Sequence, residues 1–203
     1  WLPVLPLTGL AMRSLRNLLL LLSLSLVACA SEAPRVIQTL DTESGVTVLR
    51  LTAPLVFYHD NSAQAAHARD FVYLGPVEVN RMGARSHYLW LGIWSPIRAD
   101  ERMSVDRSGF ESVVLFVDGE PFPLELAGWT LDAIGVTQPV YVKPVASAAD
   151  AYYHVTLDQV RLLATAQQID LRVGTARPVA YELWDEQGPA RAALQEFGRR
   201  GYD

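Results

Sequence analysis

Four histidines are the residues whose types could support metal or acid–base chemistry: His59, His67, His87 and His154. His59 is followed by Asp60, and an imidazole beside a carboxylate could act as acid and base in a small hydrolase. A zinc site usually takes two ligands that lie about three to five residues apart on a rigid element. No two of the four histidines have this spacing, so we predict no metal site.

The chain lacks the common motifs for nucleophilic catalysis and for nucleotide binding. Ser95 lies in the segment Gly-Ile-Trp-Ser-Pro-Ile, which does not have the G-x-S-x-G pattern of a hydrolase nucleophile, and Pro96 opposes the strand-to-helix turn that such a nucleophile needs. Neither a G-x-x-x-x-G-K-[ST] phosphate loop nor a G-x-G-x-x-G fingerprint occurs. We therefore predict no cofactor, and acid–base work by His59 and Asp60 remains the enzymatic alternative.

Three large aromatic side chains, Tyr88, Trp90 and Trp94, lie on one face of a predicted strand whose other face is aliphatic. Apolar residues on both faces favour a central strand that is covered on both sides, either by a helix or by residues 60–70. The functional alternative is an aromatic platform for a glycan, a lipid or a protein. In that case Tyr88, Trp90 and Trp94 are the predicted partner-binding residues.

Strand patterns dominate the region that would position these residues. Predicted strands cover residues 46–53, 71–79, 87–94, 112–117, 122–126, 152–155, 169–173 and 179–183. The dipeptide Asp118-Gly119 predicts a tight hairpin, and Pro121 and Pro123 predict that the strand after it lies at a sheet edge. A short helix is predicted to begin at Thr156, where Gln159 completes a capping box, and a last helix is predicted over residues 189–197.

These elements predict a single mainly β domain over residues 36–203, because no repeat or linker divides them. The expected architecture is an antiparallel β-sandwich or a strongly bent sheet with two or three short peripheral helices. The formal net charge is −5, and no basic stripe occurs. An acidic chain of this kind is a poor ligand for nucleic acid, so we expect no nucleic-acid partner.

Residues 1–28 have the pattern of a secretory signal. Arg13 and Arg16 precede a run of 11 small and apolar residues, Leu18–Ala28, whereas a membrane-spanning helix needs about 20. Met12 stands just before the arginines, so residues 1–11 are interpreted as an over-extended start.

The only cysteine of the chain, Cys29, directly follows this run. Residues Leu26–Cys29, with the sequence Leu-Val-Ala-Cys, resemble the lipobox of bacterial lipoproteins. In that family the thiol receives a diacylglycerol, the signal is cut before the cysteine, and the new amino terminus is acylated. The resemblance implies lipidation of Cys29, a tether over residues 29–35 and, because Ala30 is not aspartate, a place in the outer membrane facing the periplasm. Cleavage after Ala30 by an ordinary signal peptidase is the alternative.

The sequence thus predicts a lipid-anchored envelope protein whose periplasmic domain binds or assembles without catalysis. Its expected partners are the membrane, through the lipid on Cys29, and an envelope protein or glycan. Two alternatives stay open, namely a small hydrolase that acts on envelope material and a soluble periplasmic ligand-binding protein.

Overall fold

The computed structural model describes residues 33–63, 66–96, 107–184 and 187–200. By their contacts, residues Pro34–Asp203 form one compact unit. The predicted signal and the lipidation site Cys29 lie outside the described residues and stay predictions. Within the described ranges, no helix is long and apolar enough to cross a membrane.

Strands make up nearly half of the described chain, far more than its helices do, which confirms the prediction of a mainly β fold. They are β1 (Val36–Asp41), β2 (Val46–Leu51), β3 (Leu55–Asp60), β4 (Arg69–Arg81), β5 (Ala84–Trp94), β6 (Val113–Val117), β7 (Glu120–Gly128), β8 (Ala149–Val155), β9 (Ile169–Val173) and β10 (Val179–Leu183). Two short helices, α1 (Leu157–Thr165) and α2 (Gly188–Arg200), and a 3₁₀ turn at Leu131–Ile134 accompany them.

Eight of these strands close into an antiparallel barrel instead of the predicted sandwich or bent sheet. Their order is β4-β3-β10-β9-β6-β7-β8-β5, and β5 pairs with β4 to complete the ring. The β1–β2 hairpin extends from β4, which has 13 residues and pairs with β2, β3 and β5. The ring closes between β3 and β10 through two registered pairs, Tyr58 with Glu182 and Phe57 with Leu183. Closure gives each of these eight strands a neighbour on both sides along at least part of its length.

Alternate residues of the barrel strands point into a continuous apolar core. Leu55, Leu74, Leu91 and Ala151 are register partners on four adjacent strands, and all are at most 1% exposed. Residues one position away on each strand face outward, as the period-two geometry of a strand requires. Burial of one large aliphatic side chain stabilises the fold by roughly 1.5–3 kcal/mol, so this inner layer supplies the main driving force for folding.

β7 departs from the prediction that its prolines place it at a sheet edge, because it lies between β6 and β8. Pro121 and Pro123 belong to the half of the strand that pairs with β6, whereas pairing with β8 begins only at Glu125. A proline has no backbone N–H to donate. The strand tolerates both prolines because only one side of it is paired over these residues.

The local turn and cap predictions are confirmed. Asp118 and Gly119 both have left-handed backbone, with φ of 52° and 88°, as the tight β6–β7 hairpin requires. At the start of α1, the Gln159 N–H donates to the Thr156 hydroxyl at 3.2 Å. In return, the Thr156 N–H donates to Gln159 Oε1 at 2.7 Å, which completes the capping box.

The middle of the outer face of β5 is covered by the connection between β7 and β8, not by an α-helix or by residues 60–70. Tyr141 of this connection stacks on Trp90, with ring centroids 4.7 Å apart and planes inclined by 19°. A Cβ atom on Gly75 would lie 2.3 Å from the Tyr141 ring, and one on Gly92 would lie 2.4 Å from the Trp90 ring. The two glycines therefore provide the space that the stacked rings occupy.

Tyr141 also joins β2 to β4 where their pairing ends. The last registered pair is Arg50 with Val77. One residue further along each strand, the Leu51 N–H donates to the Tyr141 hydroxyl at 3.1 Å, and that hydroxyl donates to the Pro76 carbonyl at 2.8 Å. Burial raises the pKa of Tyr141, so the hydroxyl keeps the proton that it donates.

Asp150, on β8, ties the β7–β8 connection to the same stacked pair. Trp90 Nε1 donates to Asp150 Oδ1 at 2.9 Å, and Lys143 Nζ lies 2.7 Å from Asp150 Oδ2. Lys143 is the only lysine of the chain. The Asp150 carboxylate thus binds both the indole of Trp90 in the barrel and the ammonium group of Lys143 in the β7–β8 connection.

Asp41, buried at the end of β1, fixes another part of this connection. The backbone N–H and the hydroxyl of Thr137 donate to its carboxylate at 2.6 and 2.7 Å. The N–H groups of Glu43 and Ser44 donate to the same carboxylate at 3.2 and 3.4 Å. These hydrogen bonds, above all the one from the Thr137 N–H, hold the pKa of Asp41 well below its ordinary value.

We expect Asp41→Asn to lower the melting temperature at neutral pH, because the amide would turn N–H groups toward donors that now pair with a carboxylate. A carboxyl group whose pKa is lowered by folding contributes its full stabilisation above its unfolded pKa of about 3.9. It loses that contribution as the pH falls toward the lower folded pKa. The difference between wild type and variant should therefore shrink between about pH 5 and pH 2.

Thermal unfolding followed by circular dichroism over this range measures that difference. The matched control is Glu43→Gln, which removes an exposed carboxylate from the same turn and should leave the melting temperature nearly unchanged. A deficit of the Asp41→Asn variant that stays constant with pH would contradict the stabilising role of the ionised carboxylate.

Candidate functional site

The three aromatic residues predicted to bind a partner lie in different surroundings. Trp90 is 1% exposed and Tyr88 is 7% exposed. Trp94, the last residue of β5, is half-buried and stacks on Phe71 with ring centroids 4.9 Å apart and planes 16° apart. Of the three, Trp94 alone presents part of its ring at the surface, and its role in partner binding stays a prediction.

His59 and Asp60, the pair expected to act in a hydrolase, point to opposite faces of β3. His59 Nδ1 donates to the Ala180 carbonyl at 2.9 Å. Asp60 pairs with Arg69 Nε at 2.8 Å, and its side chain is 66% exposed. Successive residues of a strand face opposite sides, so this imidazole and this carboxylate do not face one substrate.

The other three histidines are dispersed over the molecule. His67 lies between β3 and β4 with a φ of 63°, and His87 Nε2 lies 3.1 Å from Glu78 Oε2. The ring of the exposed His154 lies 5.1 Å from that of Tyr88. In the part of the chain that the structure describes, no group of three or more His, Cys, Asp or Glu side chains could hold a metal ion.

A cavity of about 460 Å³ opens at the end of the barrel where β3, β5 and β9 finish and β4, β6 and β10 begin. Residues that line it include Asp70, Trp94, Ser95, Phe110, Arg177 and Tyr181. Cavities of this size at the mouth of a barrel are common sites for small ligands, especially where apolar walls carry a few polar groups. We refer to these six residues and their cavity as the barrel mouth, and it is the candidate functional site.

Two buried polar atoms of the barrel mouth have no hydrogen-bond partner among the described residues: Ser95 Oγ and Trp94 Nε1. Ser95 is 7% exposed and directly follows β5. A buried polar group without a partner costs about 1–3 kcal/mol, and native structures retain few of them. Ser95 and Trp94 are adjacent in sequence and both line the cavity, so the described residues leave two neighbouring polar groups of this wall unpaired.

The described groups around Ser95 do not form a pair of nucleophile and base. A serine nucleophile needs a base within about 2.6–3.2 Å, and Ser95 Oγ has no such partner in the described ranges. His59 commits Nδ1 to a backbone carbonyl, and Asp70 Oδ2 accepts from Asn61 Nδ2 at 2.7 Å. In the described structure, therefore, no proton relay connects the Ser95 hydroxyl with the His59 imidazole and the Asp70 carboxylate.

Part of the wall of the barrel mouth is fixed directly to the core. Tyr153, on the inner face of β8, donates its hydroxyl proton to the Phe110 carbonyl at 2.6 Å. Burial, with the charge of Glu111 as a lesser cause, raises the pKa of Tyr153, so the donor stays protonated. The Phe110 ring lies 6.4 Å from that of Tyr181. A wall held in this way is organised before any ligand arrives.

Trp94 also begins a row of aromatic rings on the outer face of the barrel. This aromatic row consists of Trp94 on β5, Phe71 on β4, Tyr58 on β3 and Trp184 just after β10. Phe71 is the register partner of both Trp94 and Tyr58. Trp184 meets Tyr58 edge to face at 5.4 Å and lies 6.0 Å from Phe71. Trp184 is 38% exposed and the other three are half-buried, so the row is a partly apolar strip at the surface.

Charged groups border the aromatic row. The Arg69 guanidinium lies over Tyr58 at 4.8 Å and over Trp184 at 5.2 Å, and the same side chain pairs with Asp60 at 2.8 Å. The Tyr58 hydroxyl donates to Glu182 Oε2 at 3.3 Å. Exposed cation–π contacts contribute only about 0.5–1 kcal/mol, and surface ion pairs about 0–1 kcal/mol. These contacts therefore order the rings more than they stabilise the barrel.

Sequence patterns identified Trp94 but not its partners. Tyr58 belongs to β3, which was not predicted as a strand, and Trp184 follows the predicted strand over residues 179–183. Phe71 and Tyr73 alternate in the predicted strand over residues 71–79, and this alternation was a usable signal for an outward aromatic face. The register that brings four strands together depends on pairings distant in sequence, which one sequence does not reveal.

We expect Ser95→Ala to raise the free energy of unfolding by about 1 kcal/mol, because it removes a buried hydroxyl that has no partner. Polar groups kept at a cost to stability are typical of binding sites. Urea unfolding of the full chain measures the change. The control is Ser86→Ala at an exposed position of the same strand, which should change stability by less than about 0.5 kcal/mol. A less stable Ser95→Ala variant would show that the hydroxyl is already paired.

No protein-family model, curated protein or solved structure matches this chain, so the chemistry of the barrel mouth and of the sequence before it must indicate the function.

Proposed function

We propose that this chain is a lipid-anchored protein of the bacterial outer membrane whose periplasmic barrel binds a ligand at the barrel mouth without changing it chemically. The lipobox-like residues Leu26–Cys29 support the anchor. The observation that carries the binding function is the unpartnered pair Ser95 Oγ and Trp94 Nε1 at the cavity wall. A ligand that pairs these atoms would recover part of the free energy that their burial costs.

The predicted tether limits how far the barrel can lie from the membrane. β1 begins at Val36, seven residues after Cys29. An extended chain spans at most about 3.6 Å per residue, so the tether reaches roughly 25 Å. A short tether raises the effective concentration of the domain near anything else held at the same surface. Under this proposal, the ligand is a component of the envelope.

The intact mass of protein extracted from native membranes tests the anchor. We expect a chain that begins at Cys29 and is heavier than its sequence by a diacylglycerol group and a further acyl chain. Each buried methylene contributes about 0.8 kcal/mol, and two or more chains hold a protein stably on a bilayer. Cys29→Ser should abolish the added mass.

The matched control for this experiment is Ala30→Asp, which should keep the added mass and move the protein to the inner membrane, as the resemblance to lipoproteins implies. A bare chain that begins at Ser31 in the soluble fraction would refute the anchor. That outcome would favour the soluble periplasmic alternative.

The binding function is tested by heat stability in isolated envelopes. A ligand that binds only the folded state raises the melting temperature, so the wild-type protein should melt higher in envelopes than after extraction into detergent. Ala176→Phe places a bulky ring at an exposed lining position of the barrel mouth and should reduce this shift. Val142→Phe, at a position that is 90% exposed, should retain it. Equal shifts for the two variants would contradict binding at the barrel mouth.

A further inference from the structure

We propose that the barrel mouth and the aromatic row together bind an uncharged saccharide chain, an inference that rests on the proposed binding function. The two features are continuous because Trp94 belongs to both. Its ring stacks on Phe71 in the row, and the same residue lines the cavity. From Trp94 the row crosses β4 and β3 to reach Trp184 beside β10. Three strand spacings of about 4.8 Å give roughly 14 Å, which exceeds the length of one sugar ring.

The hydrogen-bonding groups of the barrel mouth suit a ligand rich in hydroxyl groups. The Trp94 indole N–H can only donate, the Asp70 carboxylate can only accept, and the Ser95 hydroxyl can do both. A sugar hydroxyl is likewise both donor and acceptor, so one ligand type can satisfy all three. Ser95 Oγ and Trp94 Nε1 are both shielded from solvent in the described conformation, so the two side chains must rotate between staggered rotamers to turn these atoms toward the cavity when a ligand binds.

The aromatic row provides apolar ring faces on which a sugar ring can stack. A pyranose ring has an apolar face of C–H groups and a polar edge, and the half-buried rings of the row offer apolar faces to match. Asp60, Arg69 and Glu182 border these rings and can pair with hydroxyl groups at the edges. The centre of a protein–protein interface is usually depleted of such charges, so this composition favours a saccharide over an apolar protein partner.

The charges along the path are mixed in sign. Asp60, Asp70 and Glu182 alternate with Arg69 and Arg177. A polyanionic chain would meet three carboxylates here, and like charges brought close together disfavour binding. An uncharged saccharide meets no such penalty, and this is the ligand class to which the proposal commits.

Isothermal titration calorimetry on the lipidated protein tests the proposal, in a detergent whose head group is not a sugar. The probes are N-acetylglucosamine and its β-1,4-linked tetrasaccharide. We expect the tetrasaccharide to bind at least tenfold more tightly than the monosaccharide, because only the longer chain can cover the row. Trp184→Ala should weaken binding of the tetrasaccharide about fivefold, since one aromatic contact contributes about 1 kcal/mol, and should leave binding of the monosaccharide unaffected.

Matched variants identify the site. Ala176→Phe should remove binding of both probes, and Val142→Phe should bind both like the wild type. Unchanged monosaccharide binding by Trp184→Ala also shows that this variant is folded. Failure of the tetrasaccharide to bind at millimolar concentration, or equal binding by wild type, Trp184→Ala and Ala176→Phe, would overturn the saccharide proposal. So would binding of a short uncharged peptide in place of the saccharide.

The envelope experiment separates the two proposals. If Ala176→Phe reduces the stability shift in envelopes while the tetrasaccharide fails to bind, the binding function stands and the saccharide class is wrong. If Ala176→Phe leaves that shift unchanged, both proposals fail together.

Discussion

The stack of Trp90 and Tyr141 is the contact on which the rest of the barrel domain depends. It fits only because residues 75 and 92 are glycines, whose missing side chains leave room for the two rings. The Tyr141 hydroxyl joins β2 to β4 beyond their last registered pair. The stack therefore also attaches the β1–β2 hairpin to the barrel. The same contact holds down the β7–β8 connection, which Asp41 and Asp150 secure at further points. The domain consequently has two apolar layers, one inside the barrel and one over part of its outside.

This second layer explains why one face of β5 serves two purposes. Trp90 and Trp94 point to the same side of the strand, yet the first is sealed under Tyr141 and the second lies at the barrel mouth. The β7–β8 connection covers the middle of β5, and Phe71 and Tyr73 of the neighbouring strand β4 stack against Trp94 at its end. A structural core and a candidate binding surface thus share one strand. The rigidity of the first supports the geometry of the second.

Local signals in the sequence predicted local structure well. The capping box at Thr156, the Asp118-Gly119 hairpin and the alternation over residues 169–183 each specify a short segment through contacts between near neighbours. Barrel closure could not be predicted in this way, because it depends on the pairing of β3 with β10, which lie far apart in the sequence. The candidate site, too, depends on contacts between distant residues that local patterns do not predict. Trp94 stood out by residue type, whereas Ser95 gains its significance only from the cavity that distant strands form around it.

The join between β3 and β10 also has a consequence for how the chain folds. It consists of two registered pairs, and its partners Tyr58 and Glu182 lie 124 residues apart. Contacts between such distant residues form only after the entropy of a long loop has been overcome, so the ring closes late. The ring therefore cannot close until the chain has been synthesised through β10, the last of the ten described strands.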